Sequence, residues 1–531
     1  HMNRLFLRYF LSLKNIFISF IFIYFCVGIF FSFHTGLSHD EPFEQDMWNF
    51  NMGLIKDFFL NKEAFFDYQE KYYGIGSQYI TQPIQYIIQK LTYNYIDMDL
   101  EWLKHHAKHP VIFLFFFFSS YFFYKILNKI TKSLNFSCIG TTFYLLYPYL
   151  LGHSFMNPKD IPFLSVWLFL TYYSLNILES YFKTKRVNYK SLLLLSFFTA
   201  LLISIRVSGI LIFLQYFFSF FIFLNLLNIN FKYFIKEFPL KILFFSLFTF
   251  LFIIILNPLY WHKPYEFFNS ILFMGDYYQD VCTLTMGTCV KARSIDSFYV
   301  PTWLLFKLPL IILLGLFLFP FIENKLKDKT SILYIWSIVL TSVSIPIVLI
   351  IKHVPLYDEI RHIQFLVPLY FLISLSSFFL FKPKMSTYIV SIFCLFFLIE
   401  NFKIYPYQYT WFNIPARIVN LEKNFELDYW GVSGKPIAEF IEKNKSYDKM
   451  CIIGQPVAAT AKLSRKNSSK YNCLKPWGAV NSKLERPFLA IQTGRNIKSG
   501  LPYNCKIIKL EKINLSFYSR DLIAGKLLNF Y

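Results

Sequence analysis

The chain has 531 residues, of which 55% are hydrophobic and 21% are aromatic. A soluble protein of this length could not bury that much apolar surface, so the composition indicates a polytopic membrane protein. The net charge of +21 is explained by basic loops that orient helices in a membrane, and no RNA- or DNA-binding motif accompanies it, which argues against nucleic acid as a partner.

Apolar segments of about 20 residues, long enough to cross a bilayer core, follow one another along most of the chain. Eleven such segments are predicted to span the membrane, at 14–33, 109–127, 136–153, 161–182, 190–206, 209–229, 241–258, 302–322, 331–351, 362–381 and 385–401. A weaker segment at 79–93 contains Gln82, Pro83 and Gln85. Its composition is typical of an amphipathic helix at the membrane interface rather than of a span.

The distribution of lysine and arginine predicts the orientation of these helices. If segment 79–93 does not span, every short basic loop falls on one side, at 4–14, 125–132, 183–190, 232–241, 325–329 and 382–384. Basic loops favour the cytoplasm. The N-terminus is therefore predicted to be cytoplasmic. The opposite, extracytoplasmic side receives loops 34–108, 154–160, 259–301 and 352–361 and the tail from 402.

The composition changes after residue 401, and two domains are predicted. Residues 1–401 are predicted to form a transmembrane domain, and residues 402–531 a small α/β or α+β extracytoplasmic domain. In this tail, "IAEFIEKN" has helical spacing, "KMCIIG" and "RPFLAIQTG" resemble strands between turn signals, and "CKIIKLEKINLSFYSRDLIAGKLL" indicates two more strands. Cysteines fall in two extracytoplasmic places, where disulfides are permitted but the tail pairing stays open: Cys282 and Cys289 in loop 259–301, and Cys451, Cys473 and Cys505 in the tail.

Two acidic sites lie next to apolar runs on the predicted extracytoplasmic side. Asp40 and Glu41 open the motif "HDEPFEQD", and Asp160 lies in "NPKDIPF". Each aspartate is also well placed to cap a helix, and this structural alternative is compatible with a catalytic role. A carboxylate near lipid carries a desolvation cost, which makes it a candidate general base or metal ligand.

Cationic candidates lie on the same predicted face. Arg206 ends the run "LISIR", Arg361 and His362 lie in "YDEIRHIQ", and Lys159 adjoins Asp160. Such cations can hold a lipid phosphate. The structural alternatives are side chains that only reach toward headgroups and, for Arg361, a pairing with Asp358 or Glu359 that only holds the loop. Three further histidines have a spacing that matches zinc sites poorly, which favours interfacial side chains: His105, His106 and His109.

One reaction uses all of these groups. A carboxylate removes the proton from an acceptor hydroxyl, which attacks the anomeric carbon of a sugar carried on a polyprenyl phosphate. Arginine and lysine hold the departing lipid phosphate, and the isoprenoid tail lies between helices.

The motifs also resemble those of a known superfamily. "HDEPFEQD", "GHSFMNPKDIPF", "NPLYWHKPYEFF", "YDEIRHIQFLVPLY" and "YPYQYTWFNIPARIVN" with "FELDYWGVSGKPIAEFI" resemble, in order, segments of the GT-C membrane glycosyltransferases. The likeness is to the protein O-mannosyltransferase and aminoarabinose-transferase branch, with bacterial family 39-type members, and it runs over most of residues 2–442. Glu359 and Ile360 replace smaller residues of that pattern.

The resemblance implies a GT-C fold and a cell-membrane enzyme of the cell envelope that uses a polyprenyl-phosphate sugar. It implies Asp40 as base with Glu41 in support, Asp160 as the second acid, and Arg361 and Arg206 as donor-phosphate contacts. Lipid, glycan and protein remain alternative acceptors, and metal dependence stays open because members of the superfamily differ. The competing classes are a lipid-linked oligosaccharide ligase or polymerase and a lipid-linked-sugar flippase.

Overall fold

The structure is a computed structural model that describes residues 13–62, 70–98, 100–277, 281–447, 450–454, 473–476, 486–493 and 504–531. Within these ranges the chain is mainly helical. The helices α1 to α20 are Leu13–His34, Asp40–Phe59, Gln78–Thr92, Leu100–Thr131, Leu134–Leu146, Pro148–Ser154, Asp160–Thr184, Tyr189–Ile205, Ile212–Leu226, Phe231–Glu237, Pro239–Leu256, Pro258–His262, Glu266–Asp276, Tyr299–Lys307, Leu310–Leu318, Lys329–Ile351, Val367–Phe381, Pro383–Ile404, Leu421–Asn424 and Gly434–Lys443.

The predicted helical membrane architecture is confirmed. Among the described residues, 8 helices are long and apolar enough to cross a membrane, and a bent helix pair raises the number to 9. Two shorter apolar helices, α5 and α8, complete the set. All eleven predicted segments therefore coincide with apolar helices or helix pairs of the structure.

Two of the predicted segments are interrupted by proline. Segment 136–153 divides into α5 and α6 at Pro148, and segment 302–322 divides into α14 and α15 at Pro309, with a bend of 114° between these helices. Proline lacks the backbone N–H that continues a helix, and it pushes the residue before it out of the helical conformation. The bend at Pro309 leaves Lys307 at the end of α14, deep inside the protein.

The weaker segment is the amphipathic helix α3. Its polar residues Gln78, Thr81 and Gln85 are buried against the protein, whereas Ile87 and Leu91 are exposed. A helix that turns its polar side inward and its apolar side outward suits the surface of a bilayer, as the sequence predicts.

The tail carries a five-stranded sheet. The strands β1 to β7 are Cys282–Thr285, Thr288–Lys291, Cys451–Gly454, Cys473–Pro476, Phe488–Thr493, Cys505–Ile513 and Leu522–Phe530. Strands β3 to β7 form the sheet in the order β4-β3-β5-β7-β6, with β4, β3 and β5 parallel. Helix α20 covers one face through Ile437 and Ile441. The predicted strands and helix of the tail are thus present.

Strands β1 and β2 form a separate hairpin in the middle loop. The disulfide between Cys282 and Cys289 crosses it, as the seven-residue separation permits. The hairpin also contacts the segment that leads into the tail, because the backbone N–H of Glu426 donates to the Leu284 carbonyl at 3.0 Å. The backbone N–H of His39 donates to the Trp430 carbonyl at 3.1 Å. The first loop, the middle loop and the start of the tail therefore meet at one end of the helices.

Candidate functional site

The first acidic motif lies where the chain turns back after α1. Helix α2 begins at Asp40, so Asp40, Glu41 and Glu44 occupy its first turns. Neither acidic site caps a helix through its aspartate: Asp40 and Asp160 are the first residues of α2 and α7, and the residues before them, His39 and Lys159, make no capping side-chain hydrogen bond. The capping expectation is wrong because each helix begins one residue earlier than the cap position requires.

Glu41 points away from Asp40 into the protein. Its carboxylate accepts hydrogen bonds from the Ser38 backbone N–H and from His109 Nε2, both at 2.6 Å. His109 Nδ1 lies 3.0 Å from the Ser32 carbonyl. Both ring nitrogens of His109 thus lie next to oxygen atoms. These buried contacts between Glu41 and His109 hold the start of α2 against α4.

Glu44 forms a second buried pair. Lys159 Nζ donates to Glu44 Oε1 at 3.0 Å, and the Lys159 ammonium lies 4.4 Å from the centre of the Tyr73 ring. Gln78 Nε2 donates to Glu44 as well. Burial lowers the pKa of Lys159, and the Glu44 carboxylate opposes that change. Lys159 thus ties the second acidic motif to the first.

Asp160 is hydrogen-bonded to Asn157, a residue of its own motif. The Asn157 side chain accepts from the Asp160 backbone N–H at 2.9 Å and donates to Asp160 Oδ2 at 3.0 Å. Asp160 also accepts from Arg206 Nη1 and, at 2.9 Å, from Arg361 Nε. A carboxylate that is almost fully buried needs such cationic partners, and Asp160 has two.

Arg361 is the centre of the site. Its three nitrogens donate to three different carboxylates: Nε to Asp160, Nη1 to Asp358 at 3.1 Å, and Nη2 to Asp40. The face of the guanidinium stacks on Trp430, 4.2 Å from the ring centre. These five side chains form the arginine cluster. It joins the first loop, the second motif, the loop before α17 and the start of the tail.

His362 and Arg206 extend the cluster. Arg206 Nη2 lies 3.2 Å from His362 Nδ1. Because the guanidinium can only donate, Nδ1 is the unprotonated nitrogen and Nε2 carries the proton. His362 Nε2 is buried and has no hydrogen-bond partner among the described residues. One N–H donor is therefore left for a group that enters from outside.

A cleft of about 250 Å³ opens beside the arginine cluster. All four predicted cations line it: Lys159, Arg206, Arg361 and His362. The remaining wall is mainly aromatic and aliphatic, with Tyr72, Tyr73, Tyr277, Tyr357, Ile271, Met274, Leu349, Val354 and Leu356. Burial, with smaller contributions from the neighbouring Tyr357, Tyr277 and Asp40, raises the pKa of Tyr73, so this hydroxyl stays protonated. The cleft therefore combines basic donors with an apolar wall.

Among the residues that the structure describes, no group of three or more His, Cys, Asp and Glu side chains could hold a metal ion. The three histidines of α4 are buried, and His109 is engaged by Glu41 as described above. The carboxylates of Asp40, Asp160 and Asp358 instead meet around the Arg361 guanidinium.

The structure brings Asp40, Asp160, Arg206, Arg361 and His362 into one cluster, while Glu41 and Lys159 support it from its edge. Two members of the arginine cluster were not among the predicted site residues. Asp358 precedes Glu359 in the motif "YDEIRH", and the sequence indicated it only as a structural partner of Arg361, a pairing that the structure contains. Trp430 lies in "ELDYWGVSG", and only its place in a motif of the tail pointed to it.

The fold and the site together define a polytopic helical membrane protein with a charged cluster beside a cleft at one end of its helices. No family model and no curated protein matches the chain. Two of the solved structures that resemble it are ArnT from Cupriavidus metallidurans in the apo state and the same protein bound to undecaprenyl phosphate. Each is 9% identical and covers 97% of both chains, and the TM-scores are 0.49 and 0.46.

Proposed function

We propose that the protein is a GT-C-type membrane glycosyltransferase. It moves a sugar from a polyprenyl-phosphate donor to an acceptor hydroxyl or amine on the extracytoplasmic face. The observation that carries this proposal is the arginine cluster, in which Asp40 and Asp160 share the Arg361 guanidinium beside a cleft with basic and apolar walls. General base, anion-binding groups and a surface for a lipid tail are thereby adjacent.

Asp40 is the proposed base. Of the three carboxylates on Arg361 it has the largest exposed side-chain fraction, 26% against 2% for Asp160 and 5% for Asp358. An acceptor hydroxyl can therefore reach Asp40 but not the other two. Asp40 takes the acceptor proton, the acceptor oxygen bonds to the anomeric carbon, and the bond from that carbon to the phosphate oxygen breaks. Asp160 keeps Arg206 and Arg361 in place.

Arg206 and His362 are proposed to hold the lipid phosphate. The Arg206 side chain is 20% exposed and has five N–H donors, of which Asp160 and His362 engage one each. His362 Nε2 adds the unengaged donor described above. Arg361 contributes charge from behind, because its nitrogens already serve three carboxylates. Charge-assisted contacts of this kind stabilise the dianionic leaving phosphate more than the bound donor, which favours departure.

The isoprenoid tail is proposed to follow the apolar wall of the cleft toward α13. Ile271 and Met274 of α13 line the cleft, whereas Phe268 and Leu272 of the same helix are exposed. A helix that is apolar on both sides suits a position between a lipid-filled cleft and the bilayer. The donor could then enter sideways without leaving the membrane.

The purified protein, supplied with polyprenyl-phosphate monosaccharides that carry a radiolabel, tests the proposal. We expect protein-dependent release of polyprenyl phosphate and transfer of label to an acceptor fraction from cell envelopes. Turnover only of pyrophosphate-linked oligosaccharides would identify a ligase instead. Folded protein that turns over neither class of lipid would contradict the proposal.

A further inference from the structure

A buried ion pair lies directly behind the arginine cluster and has no part in the proposed reaction. Lys307 Nζ is 2.9 Å from Glu359 Oε1, and the exposed fractions of the two side chains are 0% and 1%. No other hydrogen-bond donor among the described residues reaches the Glu359 carboxylate. Since a buried charge is stable only when paired, each of these residues depends on the other.

Lys307 is enclosed by aromatic rings. Its ammonium lies 3.9 Å from the centre of the Phe412 ring, 5.2 Å from Tyr149 and 5.7 Å from Trp303. Its backbone carbonyl accepts a hydrogen bond from the Tyr147 hydroxyl at 2.6 Å. These contacts fix the end of α14, so Lys307 is a rigid point to which a loop can be attached.

The loop before α17 is attached at a strained turn. Asp358 and Glu359 have φ angles of 56° and 66°, a left-handed conformation that side-chain-bearing residues rarely adopt twice in succession. The Asp358 backbone N–H donates to Thr283 Oγ1 at 2.9 Å, and the Glu359 backbone N–H donates to the Tyr299 hydroxyl at 3.1 Å. Strain of this kind persists only where surrounding contacts hold it.

The turn determines where Asp358 and Arg361 lie. Asp358 is the first residue of the turn, and its carboxylate accepts from Arg361 Nη1 three residues later. Burial raises the pKa of Glu359 to about 7, and the Lys307 ammonium opposes this rise. Without Lys307 the Glu359 carboxyl group would lose the partner that keeps it charged and its side chain in place.

We propose that Lys307 is a positioning residue for the donor site. By anchoring Glu359, it holds the left-handed turn that directs Asp358 onto Arg361, and thereby sets the guanidinium against Asp40 and Asp160. The inference rests on the proposed function, because the placement of Arg361 matters there for sugar transfer. Glycine at position 359 would adopt its left-handed conformation without an anchor, so the need for Lys307 follows from the glutamate at that position.

Three full-length variants test this role. Lys307→Met removes the charge and keeps an apolar side chain in the aromatic enclosure. Lys307→Met combined with Glu359→Gly also removes the orphaned carboxylate and relieves the turn. Lys129→Met is the matched control, because Lys129 pairs with Glu179 at 2.7 Å on a part of α4 remote from the arginine cluster.

Two readouts separate this inference from the proposed function. The first is kcat and KM for the polyprenyl-phosphate sugar, per folded molecule. The second is the rate at which trypsin cleaves after Arg361, which needs no activity. We expect Lys307→Met to lower kcat/KM by about 10- to 100-fold and to speed cleavage by about tenfold. The double variant should recover most of both, and Lys129→Met should change neither.

Several results would overturn the role of Lys307. One is a Lys307→Met variant with parental kcat, KM and cleavage that only unfolds at a lower temperature. Another is a double variant that folds without recovering, or that does not fold at all. If Lys307→Met itself does not fold, recovery in the double variant supports the anchor. If the parent protein transfers no sugar, the proposed function fails, and trypsin cleavage alone decides whether Lys307 holds the turn.

Discussion

Arg361 brings together side chains from four distant parts of the chain. Its planar group meets Asp40, Asp160 and Asp358 along three different N–H directions while its face rests on Trp430. Lysine cannot reproduce this geometry, because an ammonium group has neither the planar fork nor a flat face. We therefore expect Arg361 to contribute both to stability and to the proposed function.

The stability role of Arg361 is testable by truncation. Arg361→Ala leaves three carboxylates close together without their shared cation, and we expect the free energy of unfolding to fall by about 3–5 kcal/mol. Arg361→Lys should restore only part of it. Thermal unfolding in detergent measures both, with Lys129→Met as the control. Parental unfolding of Arg361→Ala would show that the cluster contributes little to stability.

The proposed phosphate contact is the more exposed Arg206. Arg206→Ala removes a charge-assisted contact of about 1.5–3 kcal/mol, which corresponds to about a 10- to 100-fold rise in donor KM or fall in rate. Arg206→Lys should retain part of the binding. Donor titration of the folded variants checks this expectation. An Arg206→Ala variant with the parental donor dependence would remove Arg206 from the site.

The sequence indicated Asp40, Asp160 and Arg361 for a physical reason. Each charged residue follows or precedes an apolar run at the same predicted membrane face. Placing a charge there carries a desolvation penalty, so such residues are candidates for a functional role. The pairing of Lys159 with Glu44 could not be predicted in this way. It depends on how α2 and α7 pack. The hydropathy pattern predicts neither the direction in which a buried side chain points nor the residue with which it pairs.

At the scale of elements, the start of the tail is part of the site. The segment after α19 carries Trp430 onto Arg361, and Asp428 supports it by accepting from Tyr409, Val432 and Ser433. Sequence periodicity predicted the strands and helix of the tail. It did not predict the contact between Trp430 and Arg361, which joins an irregular turn to the loop before α17. Irregular turns have no period from which a position can be read.

Substitution of Trp430 tests the contribution of the tail. Trp430→Ala should remove both the buried ring and its stacking on the guanidinium, with a loss of about 3–5 kcal/mol in stability and a strong fall in transfer. Trp430→Phe keeps an aromatic face and should be milder, because cation–π attraction is weaker on phenylalanine. If both variants transfer sugar as fast as the parent, measured per folded molecule, the tail makes no contribution to the active site.

At the scale of the whole molecule, loops 34–108, 259–301 and 352–361 and the tail meet at one end of the helices, as the distribution of basic loops predicts. Their side of the membrane stays a prediction. In a variant without native cysteines, single cysteines at exposed Tyr95 and Ile418 should react with an impermeant reagent from outside. A cysteine at exposed Arg186 should react only after the membrane is opened. External labelling at Arg186 would reverse the predicted topology.

The most direct test of the central claim is the turnover of a polyprenyl-phosphate sugar by purified Asp40→Asn beside the parent protein. Asparagine keeps the size of the side chain and can still accept a hydrogen bond from Arg361, but it cannot take the acceptor proton. We predict a folded protein with the parental unfolding temperature to within a few degrees and a turnover lower by about 10²- to 10⁴-fold. Turnover close to that of the parent would contradict the assignment of Asp40 as the base.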